Sequence, residues 1–223
     1  MSAPAAPTLR ARNASRVLAL AEAAADAKPF ERIPVIDIAA LFGDDPSARS
    51  DVGAEIRKAC MEVGFFYITG HGVDPQIYAG AFEAAKRFFD LPEDQKQVVS
   101  IHNSPVMRGY TGLLQENTDP DNDGDLHEGF DASLDLEPDD PAVALGIYGY
   151  GVNQWPDMHR FREPVMAYHA ALRSLSEVLY RGFALSLDLP EDHFASMLTK
   201  PIAELRLLHY PPQQGEFDEK VLG

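Results

Sequence analysis

A chain of 223 residues with 45% hydrophobic content is long enough for one large domain or two small ones built on a real core. Its formal net charge of −16 repels phosphate backbones and anionic lipid, which argues against nucleic acid and membrane surfaces as partners. The single cysteine, Cys60, rules out an intramolecular disulfide and suits a reducing cytoplasm, and no run reaches the ~20 apolar residues that span a bilayer.

Residues 1–30 read as an Ala-rich extension, partly disordered or helical. They carry Arg10, Arg12 and Arg16 with no acid before Glu22, and they lack a secretory apolar segment. Ile33-Pro34-Val35-Ile36-Asp37-Ile38 predicts a strand, with Pro34 and Asp37 placing it at an edge or strand start. Asp44-Asp45-Pro46-Ser47 predicts a turn. Ser50 then caps a helix whose buried stripe is Val52, Ile56, Cys60 and Val63, which makes Cys60 a buried structural thiol. Gly64 ends that helix, and Phe65 to Thr69 predicts a second strand, apolar enough to be buried on both faces.

Asp74 and Pro75 open the next helix, with Tyr78, Phe82, Ala85 and Phe89 as its apolar stripe. A short helix begins at Leu91-Pro92-Glu93-Asp94. Residues 100–150 read mainly as loops, with strand fragments at Gly109-Tyr110 and Phe130 to Ser133. After Asn153-Gln154-Trp155-Pro156 comes a long helical pattern, with Phe161, Val165, Tyr168, Leu172, Leu175, Leu179 and Phe183 in phase. Pro164 must sit in its first turn or kink it. The last strand runs from Ile202 to Tyr210. It sets Arg206, Leu208 and Tyr210 on one face and Leu205, Leu207 and His209 on the other.

Two metal motifs fail on chemistry. Asp119 to Asp125 has oxygen donors and a turn glycine at EF-hand spacing, but the position that needs a bidentate glutamate holds Phe130. His127-Glu128-x-x-Asp131 lacks the second histidine of a zincin helix. His71, in Gly70-His71-Gly72, reads as a structural turn residue that holds backbone carbonyls. His102, His159, His169 and His193 read as surface or packing residues.

Several segments share one order with a known family. Ile-Pro-Val-Ile-Asp at residues 33–37 is followed by Gly64-Phe65-Phe66-Tyr67-Ile68-Thr69-Gly70-His71-Gly72. Then come Arg108-Gly109-Tyr110, Glu128-Gly129-Phe130, Asn153-Gln154-Trp155-Pro156 and His209-Tyr210-Pro211-Pro212. From about Arg32 to Pro212 the chain resembles isopenicillin N synthase-like 2-oxoglutarate/Fe(II) dioxygenases. The resemblance implies an α+β fold, with helices packed on the opening strands of a double-stranded β-helix (jelly roll), incomplete at the C-terminus. Residues 31–200 would be the N-terminal dioxygenase region and 201–223 the first part of the jelly-roll core.

The resemblance also implies roles. Tyr210 would bind the cosubstrate, and Arg108, Tyr110, Glu128 and Phe130 would approach substrate. Leu208 stands where plant members usually carry an asparagine near the cosubstrate. Fe(II) and 2-oxoglutarate are implied for a full-length member. The family's two-histidine, one-carboxylate triad has no counterpart here, because the chain ends before the His-x-Asp pair. The expectation is therefore a truncated oxidoreductase, inactive and without bound cofactor on its own, whose full-length form acts on a small molecule. The alternative is a non-catalytic protein with a binding or structural role. Association through the C-terminal strand is expected from its apolar side chains and open edge.

Overall fold

The computed structural model describes residues 30–117 and 123–212, and the backbone of 221–222. Strand β1 (Val35–Asp37) pairs in parallel with β2 (Tyr67–Thr69), Ile36 opposite Ile68. Parallel pairing needs a crossover, which helix α1 (Pro46–Glu62) provides. The helix starts earlier than expected. Asp45 is its cap, its Oδ1 accepting the Ser47 N–H at 2.9 Å, and Pro46 fills the first turn.

Three burial expectations are corrected. Cys60 is exposed, and α1 buries Val52, Ile56 and Ala59 instead. Seven residues return almost to the same helix face, whereas eight overshoot it. The second strand is not buried on both faces. Phe65 is 50% and Tyr67 62% exposed, because the sheet is two strands wide and helices cover one side of it. In helix α2 (Pro75–Phe89) the inward face is Ala81, Ala84, Phe88 and Phe89, while Tyr78 and Phe82 are about half exposed. Those two rings lie tilted against each other with centroids 4.5 Å apart, and the alanines let α2 lie close to the long helix α5 (Arg162–Ser186).

After α2 come α3 (Glu93–Gln97), β3 (Gly109–Thr111), β4 (Gly124–Asp125), β5 (Glu128–Ala132) and the short α4 (Pro141–Ala144). Helix α5 (Arg162–Ser186) has Pro164 in its first turn, where it costs no intrahelical bond. Strand β6 (Leu205–His209) completes an antiparallel sheet of order β3-β5-β6, with Phe130 opposite both Tyr110 and Leu207. Strand β4 pairs in parallel with β7 (Val221–Leu222).

Two cores flank α5. One joins Ile36, Ile38, Leu41, Val52, Ile56 and Ala59, with Leu175, Leu179 and Phe183 of α5 packed against it. Gly53 and Gly182 make this approach possible: a Cβ on Gly53 would stand 2.7 Å from the Leu185 Cβ, and one on Gly182 2.8 Å from the Ile56 Cδ1. The other core lies under the three-stranded sheet. There Phe88 is ringed by Phe89, Tyr110, Phe130 and Phe161 at centroid distances of 5.0–5.9 Å. The architecture is α+β, as the element order predicts. The acidic loop tested as an EF-hand falls mostly on residues 118–122, outside the described residues. Among the described residues no helix is long and apolar enough to cross a membrane.

Candidate functional site

The three-stranded sheet gathers most of the residues the sequence singled out, and its alternation sorts them onto two faces. On the inner face lie Tyr110, Glu128, Phe130 and His209, above α2. On the outer face lie Asp131, Arg206, Leu208 and Tyr210, with Leu208 44% and Tyr210 56% exposed.

Glu128 is the hub of the inner face. It is 4% exposed, yet its Oε2 accepts from Lys96 Nζ at 2.6 Å and from the Tyr110 hydroxyl at 2.6 Å. Its Oε1 lies 2.8 Å from His209 Nδ1. Lys96 also reaches Glu93 at 3.3 Å, and the Tyr110 hydroxyl donates to Glu93 at 3.0 Å. Burial raises the Glu128 pKa, but the hydrogen bonds from Lys96, Tyr110 and His209 outweigh it and hold the carboxyl below its usual range. The Tyr110 phenol is pushed well up, by burial first and then by the two carboxylates it bonds. The His209 ring stacks on Phe89 at 5.3 Å, which fixes its orientation.

The outer face is organised by Arg206. Its Nε donates to Asp131 Oδ1 at 2.9 Å and its NH1 to Glu116 Oε2 at 2.9 Å, and further contacts complete a fork to each carboxylate. Both acids raise the Arg206 pKa further. Glu116 also lies 2.9 Å from His127 Nε2, and the His127 ring is 5.4 Å from that of Tyr210. For Glu116, burial works upward, but Arg206 and His127 win and lower its pKa.

The resemblance brought Arg108, Tyr110, Glu128 and Phe130 toward substrate. The structure places all four inside, between 0% and 4% exposed. Arg108 bonds Glu204 at 2.6 Å and the Gly149 carbonyl at 3.1 Å, and Phe130 is aromatic core. Tyr210 is the one member of the predicted set that faces outward. Asn153 and Gln154 act as ties: Asn153 brackets Ser133 through N–H and carbonyl at 3.0 and 2.9 Å, and Gln154 donates to Ser100 and Arg108 carbonyls. Among the described residues His71 donates to no carbonyl; its Nδ1 accepts the Val73 N–H at 3.1 Å. His169 is buried, its Nε2 2.8 Å from the Ala203 carbonyl. Sequence reasoning missed Lys96, Glu93, Glu116 and the ionic use of Arg206 and His127. Only Arg206 left a trace, by sharing a strand face with Tyr210.

The described residues do not fit an Fe(II) triad. One group, Glu116, Asp125 and His127, brings its ligand atoms within 4.8 Å of one another. It offers one imidazole where two are required, and Glu116 already carries the Arg206 fork.

The family model described as non-haem dioxygenase in morphine synthesis, N-terminal, matches residues 33–158. The chain belongs to the non-haem 2-oxoglutarate/Fe(II) dioxygenase family. As a dioxygenase-family chain it is 35% identical over 194 residues to a 2-oxoglutarate-Fe(II) type oxidoreductase of Aspergillus fumigatus, covering 85% of this chain and 58% of that one. It is 32% identical over 192 residues to the 2-oxoglutarate-Fe(II) type oxidoreductase hxnY of Emericella nidulans, covering 84% and 55%. A solved 2OG-Fe(II) oxygenase family protein from Caulobacter crescentus superposes with a TM-score of 0.69 at 23% identity, covering 84% of this chain and 59% of that one. That likeness carries the fold. This dioxygenase-family chain thus spans a little over half the length of the curated relatives it matches.

Proposed function

We propose that the chain is the N-terminal portion of an Fe(II)/2-oxoglutarate-dependent oxidoreductase acting on a small molecule, in the cytoplasm. The observation that supports this reading most is the family match together with the open outer face of β6, where Tyr210 stands beside His127 and Arg206. In this reading Tyr210 offers its phenol to a carboxylate of the cosubstrate. Arg108, Tyr110, Glu128 and Phe130 serve substrate from behind: they hold the strands that carry Tyr210 in register. Arg206 is closed in by two carboxylates, so it stiffens the wall and is not spare for an anion. No step is assigned to iron, because the described donor set does not fit it.

A second reading, a non-catalytic dioxygenase-like protein with a binding or structural role, rests on that same one-imidazole donor set. In either reading the β6 edge beyond β5 is an expected place for association.

The test is succinate formation from 2-oxoglutarate with Fe(II), ascorbate and O2. The expected result is none from the 223-residue chain, and turnover once the chain is extended by the length its relatives carry. Tyr210→Phe in the extended chain should raise the KM for 2-oxoglutarate about tenfold, the loss of one hydrogen bond to a charged group. An extended chain that binds 2-oxoglutarate without turning it over would favour the second reading.

A further inference from the structure

Glu128 does more than anchor the inner face: it sets the protonation of one imidazole. Its carboxyl is held below the usual pKa range, so it is ionised and can only accept. His209 Nδ1, 2.8 Å from Oε1, must therefore be the donor. In the neutral ring that leaves Nε2 without a proton, as a hydrogen-bond acceptor. The ring is held in place by its stacking on Phe89 at 5.3 Å. Among the described residues Nε2 has no hydrogen-bond partner, and the His209 side chain is 39% exposed.

His209 lines a cavity of about 430 Å3 between α2, α5 and β6. Most of the wall is apolar, made by Ala81, Phe82, Ala85, Phe89, Leu205 and Leu207. The charged members of the lining offer no free cation. Lys86 pairs with Glu83 at 3.0 Å, and Arg206 is forked between Asp131 and Glu116. Asp90 is exposed to water at the end of α2. An anionic ligand would find no partner here, and a neutral one fits.

A second polar group enters the wall from α5. The Tyr168 hydroxyl has no hydrogen-bond partner among the described residues, and its ring packs edge-on against Tyr78 at 6.1 Å. Burial first, and then Tyr78, raise its pKa, so the phenol keeps its proton. An apolar cavity of roughly 300–1,000 Å3 with a few fixed polar groups is the usual form of a small-molecule site. Here the two polar groups are one acceptor nitrogen and one hydroxyl.

We propose that this cavity binds a small uncharged aromatic molecule bearing a hydroxyl, the phenol class, whose O–H donates to His209 Nε2. The ligand ring packs among Phe82, Phe89 and Leu207, and Tyr168 supplies a second polar contact. His209 and Tyr210 alternate on β6, so this site lies on the opposite face of the strand from the one assigned to cosubstrate. A ligand of the same shape without a donor would cover Nε2 and leave it unpaired, which the site should reject.

The probes are 2-naphthol and 2-methoxynaphthalene, which share a ring system and differ in the O–H. Fluorescence titration of the 223-residue chain should show 2-naphthol bound one to one and about tenfold more tightly than the ether. In the unaltered 15N-labelled chain the His209 Nε2 signal should shift with 2-naphthol and hold still with the ether, so the test does not depend on a variant that folds. His209→Phe keeps a ring on Phe89 and should abolish the preference for 2-naphthol. Ala85→Trp should fill the cavity and weaken both probes, with an unchanged unfolding midpoint as the check on folding. Absence of 2-naphthol binding, equal binding of the two probes or a still Nε2 signal would each overturn the proposal. So would a preference that survives His209→Phe, or binding untouched by Ala85→Trp, which would seat the probe elsewhere.

Discussion

On one side of α5, Ile36, Ile38, Leu41, Val52 and Ile56 close an aliphatic core around a two-stranded parallel sheet. On the other side, Phe88, Tyr110, Phe130 and Phe161 close an aromatic core beneath the three-stranded sheet, and Lys96 and Glu128 are buried at its edge. The first depends on area removed from water, which has no direction. The second adds hydrogen bonds that have direction and a buried ion pair that tolerates no missing partner. The difference fits what each region does. The aliphatic core needs only to fill space, whereas the aromatic core fixes the register of β5 and β6 and with it the position of Tyr210.

The comparison can be broken most severely at Phe88. It is fully buried and touches four rings, so Phe88→Ala should cost about 3–5 kcal/mol, read by denaturant unfolding of the chain. Ile56→Val, its counterpart in the aliphatic core, should cost only about 1 kcal/mol. Equal losses at the two sites would erase the distinction.

Lys96→Met sharpens the polar half of the argument. It strands Glu128 in the core without its cation and should cost about 3 kcal/mol. Converting Glu128 to Gln in the same chain should recover part of that, because the stranded charge is gone. No recovery would mean that Lys96 matters through its stem and not through its charge.

Acid should separate the two regions. Glu128, Glu116 and Glu93 all have folded-state pKa values below the ordinary 4.5, hydrogen bonds having overcome burial in each. A carboxyl lowered in the folded state stabilises above its unfolded value and loses that contribution as pH falls through its folded value. Below about pH 4.5 the three-stranded sheet should therefore loosen first. Amide exchange at Phe130 should rise at higher pH than at Ile38; the reverse order would contradict the assignment.

Gly53→Ala probes the aliphatic side by overpacking. The new methyl meets the Leu185 Cβ at 2.7 Å, so a loss of about 1–3 kcal/mol is expected in the same unfolding measurement. The smallest effect is expected at Cys60. It is exposed, and Cys60→Ser should change stability by less than about 0.5 kcal/mol.

Much of the fold was legible because local rules suffice for it. Asp74-Pro75 capped a helix, Pro164 fell in a first turn, and the apolar phase of 161–183 marked α5. Alternation in 205–210 sorted Arg206, Leu208 and Tyr210 from their neighbours correctly. The failures share a cause. The burial of Cys60, Tyr78 and Phe82 was inferred from helical spacing and that of Tyr67 from an apolar run, but which face of an element is covered depends on what packs there. At the site, Tyr210 and Glu128 were visible through their motifs. Lys96 and Glu116 were not, since each meets its partner across 32 and 90 residues of sequence, to Glu128 and Arg206 respectively.

The amino-acid sequence by itself determined the class of fold, the order of its elements and the family, because caps, periodicity and motif order are properties of neighbouring residues. Tertiary structure alone decided that Glu128 is a buried hub and not an exposed acid, that Arg206 is spent on two carboxylates, and that two unlike cores share one helix. Those outcomes turn on which charges meet and how much water is removed when they do, and neither is set until distant segments pack.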